Sequence, residues 1–344
     1  MKVKTRALVT IILTLLLAGS LIMGCGGGGG GTGSGTTPDG GGGGDSSTPT
    51  ANFSTTNSKT VSYYCLKSLN ENPMEMYDFG GQNDVARKVL EDAFRNVDLS
   101  RAETTVDQTV TDPFDQNGTM HITGTISTQA GGDKSANLTL TFTDWYMFFP
   151  YRSQSQFNAN GTVTLVVEVT NNETQFSAVS TYNNLTLTSY STPQVTITNN
   201  GTINQAGTLE DMEQASYTIT VDTTKTVSGS VHEDQNGTLV NQTSATMTAY
   251  EEEMKVEMAI QGTLSFTDFD ELTSTVTIAT TQDVVLEYDE SSQDFIIQSG
   301  QITMTNSGND TLVVDATGNG NIEISLNGTT VYEGAYSLFM AGQY

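Results

Sequence analysis

Residues Leu138-Thr139-Leu140-Thr141-Phe142-Thr143 alternate strictly between apolar and threonine side chains. Successive residues of an extended chain point to opposite faces. This stretch therefore builds a strand with one apolar face and one face of β-branched, solvated threonine. The same two-residue period recurs in Val195-Thr196-Ile197, in Tyr217-Thr218-Ile219-Thr220-Val221 and in Ile322-Glu323-Ile324-Ser325-Leu326. From about Ala102 onward the chain reads as strands.

Asn-Gly occurs at Asn117, Asn160, Asn200, Asn236, Asn319 and Asn327. Both residue types accept positive φ, as two-residue hairpin turns require, so each dipeptide is expected to be a turn. The many Asn-X-Thr triplets match a glycosylation pattern, but they read more simply as turns entering threonine-rich strands.

The turns carry a second signal. Asp115-Gln116-Asn117-Gly118-Thr119 returns as Asp234-Gln235-Asn236-Gly237-Thr238, 119 residues on. The same displacement takes Thr104-Thr105 to Thr223-Thr224, Glu168 to Glu287, Phe176 to Phe295, Asn200-Gly201 to Asn319-Gly320 and Tyr217 to Tyr336. Between these, Leu140-Thr141-Phe142-Thr143-Asp144 matches Leu264-Ser265-Phe266-Thr267-Asp268 at a displacement of 124. An insertion near Glu251-Glu252-Glu253, lost again further on, accounts for the shift. Several matches at one displacement point to an internal duplication, with β repeats at 103–221 and 222–344. Tyr217 to Val231 is strand-like and offers no flexible linker between the halves. The expected fold is thus all-β: one large curved antiparallel sheet from two duplicated halves of about seven strands each. A twisted sheet of that size must curl into a half-barrel, split into a sandwich or close into a barrel.

The segment 51–102 precedes the strands. In it Val85, Val89, Ala93 and Val97 recur every four residues beside Leu90 and Phe94, and Asn83 or Asp84 is placed to cap the start. This predicts one N-terminal helix over about 84–97, covering an end or face of the sheet. Residues 25–50 are almost pure Gly, Ser, Thr, Asp and Pro beyond Cys25. Such a composition buries no apolar surface and gives a tether with an r.m.s. span of roughly 25–30 Å.

At the start of the chain, Lys2, Lys4 and Arg6 precede the apolar run Ala7 to Met23. That order marks a secretory signal over 1–24. An uncleaved transmembrane helix is the alternative, but the run falls short of the roughly 20 residues needed to cross the hydrocarbon core. The run ends in Leu21-Ile22-Met23-Gly24-Cys25, which resembles the lipobox of bacterial lipoproteins, with Ile22 where leucine is more usual. The resemblance covers only the first few dozen residues. It implies cleavage before Cys25, lipid attachment to the Cys25 sulfur and anchoring in the cell envelope. In that family aspartate directly after the cysteine tends to retain the protein in the inner membrane; Gly26 here favours the outer membrane.

Removing Lys2, Lys4 and Arg6 with the signal leaves 10 basic residues against 39 acidic ones, a side-chain charge of −29. From Ser153 to the C-terminus the only lysines or arginines are Lys225 and Lys255. Such a field repels nucleic acid and anionic headgroups and keeps the chain soluble. With Cys25 lipidated, Cys65 is the one remaining cysteine, so no intramolecular disulfide forms, and it reads as a small buried apolar residue.

No catalytic constellation stands out. His121 and His232 are the two histidines and do not occupy equivalent repeat positions. There is no nucleophile elbow, phosphate loop or Cys/His metal spacing, and no cofactor is indicated. Two acidic turns carry oxygen ligands of the kind calcium takes: Asp112, Asp115 and Asn117, and Glu233, Asp234 and Asn236. Neither has the twelve-residue EF-hand spacing, and a solvated hairpin explains both; Asp268, Asp270 and Glu271 form a similarly unspecific cluster. The unusual segment is Trp145-Tyr146-Met147-Phe148-Phe149-Pro150-Tyr151, which breaks the threonine alternation and holds the one tryptophan. Its second-half counterpart runs Phe269-Asp270-Glu271-Leu272. The repeated scaffold therefore does not require the aromatics. Trp145, Tyr146, Phe148, Phe149 and Tyr151 are candidate ligand-binding residues at an apolar mouth, with a plug of the local core as the alternative.

The expectation is a non-enzymatic, lipid-anchored envelope protein that binds a lipid or other hydrophobic ligand inside its one-sided sheet. At the level of architecture alone this resembles periplasmic carriers of lipoproteins and lipopolysaccharide. The alternative is a structural or adhesive surface lipoprotein with a filled core. An outer-membrane barrel fits less well, given the lipobox and the short alternating runs.

Overall fold

The computed structural model describes residues 53–55, 57–70, 103–112, 117–128, 133–149, 155–170, 175–190, 194–211, 214–229, 237–250, 255–269, 272–289 and 294–340. The expected helix over 84–97 and residues 1–52 lie outside these.

The strands are β1 Glu103–Thr111, β2 Thr119–Thr128, β3 Lys134–Phe149, β4 Ser155–Thr170, β5 Gln175–Ser189, β6 Thr196–Asp211 and β7 Gln214–Ser228. They continue as β8 Gly237–Tyr250, β9 Lys255–Phe269, β10 Leu272–Asp289, β11 Asp294–Asn306, β12 Thr311–Gly318, β13 Asn321–Leu326 and β14 Thr329–Ala335. All belong to one open sheet in strict sequence order, each antiparallel to the next. The all-β expectation holds. β7 runs unbroken through residues 221 and 222, where the sequence matches divide the chain.

The alternation read from sequence places one apolar face inward. Leu138, Leu140, Leu165, Leu187, Ile197, Leu264, Ile278 and Ile324 are all buried in one core cluster that extends from β1 to β13. The outer face carries the threonines and serines, some joined across strands, as in Ser127 Oγ to Ser135 Oγ at 2.7 Å and Ser265 Oγ to Thr275 Oγ1 at 2.9 Å.

Two of the Asn-Gly dipeptides are the expected turns. Asn319-Gly320 joins β12 to β13 and Asn327-Gly328 joins β13 to β14, with all four residues at positive φ. Asn160-Gly161 and Asn200-Gly201 are a correction: they lie inside β4 and β6. There the same tolerance of unusual φ serves bulges. The β3–β4 register slips between Phe142 and Trp145, and the β5–β6 register slips between Tyr182 and Leu185. At each slip the inward phase changes: Leu138 and Leu140 give way to Trp145, and Ser180 and Tyr182 give way to Leu185 and Leu187. An extra residue on one strand bends it and raises its twist. Asp144 on β3, Gly161 on β4, Asn184 on β5 and Gly201 on β6 form a diagonal crease. A Cβ on Gly161 would stand 2.4 Å from the Asn184 carbonyl oxygen, and one on Gly201 would stand 2.2 Å from that of Asp222 on β7. The crease bends strands of up to 16 residues within the sheet.

Strand limits keep step at the sequence displacement: β5 begins at Gln175 and β11 at Asp294, while β4 ends at Thr170 and β10 at Asp289. At displacement 124, Asp144 and Asp268 share φ 49°. The step is six strands. Asn200-Gly201 and Asn319-Gly320 differ, the first a mid-strand bulge and the second a turn.

A helix absent from the sequence reading, α1 (Ser58–Asn70), covers the β12–β14 end of the sheet. Ser54 and Asn57 start it by exchanging hydrogen bonds: the Ser54 amide donates to Asn57 Oδ1 at 2.8 Å and the Asn57 amide to Ser54 Oγ at 3.2 Å. Val61, Cys65 and Leu66 face the core. The short α2 (Tyr336–Met340) inserts Phe339 between Tyr332, 4.9 Å away between ring centroids, and Tyr63, 6.3 Å away.

Candidate functional site

The aromatic segment forms the end of β3. Trp145 pairs with Ala159 of β4, lies inward at 7% exposure and meets the Phe142 ring edge-on at 6.5 Å. Tyr146 takes the other phase and sits 5.9 Å from Tyr190, which is half exposed. Burial, the Tyr190 phenol and the Asp112 carboxylate together push the Tyr146 phenol above its ordinary pKa. Phe148 and Phe149 pair through their backbones with Gln156 and Ser155. Their side chains, and all of Tyr151, lie outside the described residues.

Asp112, a calcium candidate, is buried, and its Oδ2 accepts the Tyr146 amide hydrogen. Its amide donates to the Gly118 carbonyl at 2.9 Å, closing the β1–β2 turn. The carboxylate thus anchors the aromatic segment. Among the described residues no cluster of acidic, histidine or cysteine side chains is arranged to hold a metal. Asp115, Glu233, Asp234 and Asn236 lie outside them, as does Cys25. Cys65 is fully buried, and burial pushes its thiol above the ordinary range. Among the described residues no helix is long and apolar enough to cross a membrane.

The feature that the sequence reading missed is a polar island on the apolar inner face. Tyr182 of β5, Asn199 of β6, Lys225 of β7, and Asn241 and Thr243 of β8 are all buried, at 4 to 8% exposure. Each occupies the inward phase of its strand, between apolar neighbours such as Ile197 and Ile203, or Val221 and Val227. Asn199 lies directly across from Lys225, and Tyr182 from Gly201, two residues beyond Asn199. Diagonal neighbours of that kind are roughly 7–8 Å apart, within reach of an aromatic side chain. Thr243 Oγ1 donates to Asn241 Oδ1 at 2.7 Å. Asn199 Nδ2 has no hydrogen-bond partner among the described residues, and burial pushes the Tyr182 phenol up against the opposing hydrogen bond with the Ser180 side chain. The island borders the crease, since Tyr182 stands two residues before Asn184 and Asn199 two before Gly201. The signal was present as a phase error: Val221-x-Thr223-x-Lys225-x-Val227 and Leu239-x-Asn241-x-Thr243-x-Ala245 put polar residues where the alternation calls for apolar ones.

No family model matches this chain, and neither a curated protein nor a solved structure does.

Proposed function

We propose that this protein is a lipid-anchored, non-enzymatic protein of the cell envelope that binds a lipid or other hydrophobic molecule against the inner face of its sheet. The observation that carries this reading is the amide nitrogen Asn199 Nδ2, buried on the apolar inner face with no hydrogen-bond partner among the described residues. A core made only to hold a fold together gains nothing from it, because an unsatisfied buried group costs about 1–3 kcal/mol. A molecule seated there would contact an extended apolar surface and satisfy that amide. The lipobox-like Cys25 supplies the anchor and the Gly-rich segment the reach. The polar outer face, with its threonines, is the reverse of what a lipid-embedded barrel presents.

Native mass spectrometry of the protein extracted from membranes tests the reading. The expected result is a mass above that of the acylated polypeptide, lost on organic extraction and regained with an added lipid. A mass equal to the acylated chain, with no uptake of added lipid, would favour the second reading: a structural or adhesive surface lipoprotein. The near-complete burial of Leu138, Leu165, Leu187 and Ile197 supports that alternative, because a filled core produces it too.

A further inference from the structure

We infer that helix α1 is a door: it lifts off the β12–β14 end of the sheet as a unit, with the strands intact, and the hydrophobic ligand reaches the inner face beneath it. This rests on the lipid-binding reading above and adds the place of entry. The strand ladder runs complete from β1 to β14 without α1, so the helix can leave without breaking a strand pair. Its buried face carries Ser58, Val61, Ser62, Cys65 and Leu66, three or four residues apart along one side. Ser58 and Ser62 are fully buried, and neither hydroxyl has a hydrogen-bond partner among the described residues. Water satisfies both hydroxyls once the helix lifts, which tilts the balance toward lifting in a way that alanine would not. Elements of low local stability open ahead of the whole fold. Two contacts hold the door shut. The amide of buried Phe53 donates to the Asp310 carboxylate at the β11–β12 turn, and Tyr63 meets Phe339 of α2 edge-on. The strands β12 and β13 that the helix covers carry Leu312, Val314, Ile322 and Ile324, which belong to the same core cluster as the rest of the inner face. The chain passes from the Gly-rich tether into the fold at this helix. The anchor therefore keeps the β12–β14 end within the tether's span of roughly 25–30 Å from the membrane, where a hydrophobic ligand would be taken up.

The test uses the full mature chain, freed of bound lipid and carrying Cys25→Ser so that Cys65 is the single thiol. In dilute urea, maleimide should label Cys65 slowly, on the order of 10³–10⁴-fold below the rate of the unfolded chain. That rate should change less than about two-fold per molar urea, because a local opening exposes little surface. Ser58→Ala combined with Ser62→Ala should slow the labelling about ten-fold or more. Uptake of N-phenyl-1-naphthylamine, a neutral apolar probe, should slow in proportion. Labelling that climbs with urea in step with unfolding of the sheet would overturn the door, as would a double variant labelled at the original rate. Slowed labelling with undiminished probe uptake would put the entry elsewhere and also overturn it, leaving the lipid-binding reading standing. Labelling as expected with no probe uptake by the unsubstituted helix would overturn both.

Discussion

Asn160 reaches across from β4 to Asp144 on β3, its Oδ1 accepting the Asp144 amide at 3.0 Å and its Nδ2 donating to Asp144 Oδ1 at 3.2 Å. Forty residues on, Asn200 Oδ1 accepts the Asn184 amide at 2.8 Å. Asp144 and Asn184 have φ of 49° and 48°, and the glycines after the two acceptors have φ of 126° and 117°. An asparagine side chain thus satisfies the amide that each bulge turns out of the ladder, and the following glycine lets the next strand close in. Two such devices, in the β3–β4 and β5–β6 hairpins, set the crease, and Tyr182 and Asn199 occupy diagonal positions beside it.

Gly161→Ala and Gly201→Ala should each destabilise the protein by more than about 2 kcal/mol, because positive φ and contact with a neighbouring strand's carbonyl add together. Gly328→Ala has φ of 80° but meets nothing within 4 Å, so it should cost only about 1–2 kcal/mol. Urea unfolding of the three variants checks the order. Equal losses at all three would mean that the close approach contributes nothing.

The strands were legible because Leu138, Leu140 and their equivalents are buried on one side while threonine covers the other. The bulges were not, because Asn-Gly reports only tolerance of positive φ. Asn327-Gly328 spends it on a turn and Asn160-Gly161 on a bend in mid-strand. Helix α1 escaped because Ser-Lys-Thr-Val-Ser-Tyr-Tyr-Cys-Leu-Lys-Ser-Leu-Asn is rich in β-branched, aromatic and serine residues of modest helix propensity. Val61, Tyr63, Cys65 and Leu66, meeting the core, and the Ser54–Asn57 cap hold it. The polar island went unread because a lysine in a strand is ordinarily solvated, and one-dimensional alternation does not show which breaks in phase are buried.

Asp310 ties two turns together, accepting from Asn327 Nδ2 at 3.1 Å and from Asn306 Nδ2 at 3.2 Å. These bonds, the one from Asn327 first, hold its carboxyl below the ordinary carboxylate range. A depressed carboxyl stabilises the fold above its unfolded pKa of about 4 and loses that contribution as pH falls through the folded value. Asp310→Asn should therefore unfold at lower urea than the wild type at pH 5–7, and the gap should close below about pH 4. A gap independent of pH would refute the role of the charge.

Cys65 should resist maleimide at pH 8.5 in the native protein and react once urea unfolds it, since burial disfavours the thiolate. Cys65→Ser should cost about 1–3 kcal/mol by burying a hydroxyl, and more than Cys65→Ala. Rapid labelling of the native protein would contradict the burial.

Cys25→Ser should leave the precursor uncleaved or release the protein from the membrane, because lipobox processing needs the thiol. Growth with labelled fatty acid and fractionation of the cells reads both outcomes. Label that still joins the mutant protein would overturn the assignment.

The segment Trp145 to Tyr151 offers a test that separates core from binding surface. Trp145 is inward and packed, so Trp145→Ala should cost about 3–5 kcal/mol and Trp145→Phe under about 1.5 kcal/mol. As the sole tryptophan, it should emit at short wavelength when folded, and a bound apolar probe should change that emission. Tyr146, half buried against Tyr190, should cost less when truncated. The ladder continues through Phe148 and Phe149, and successive strand residues face opposite ways. In the pair Phe148→Ala and Phe149→Ala, one change should destabilise by about 3–5 kcal/mol. The other should weaken binding of the hydrophobic probe and leave melting nearly intact. If both only destabilise, the aromatics are a plug. The proposed hydrophobic ligand would then have to be held without them.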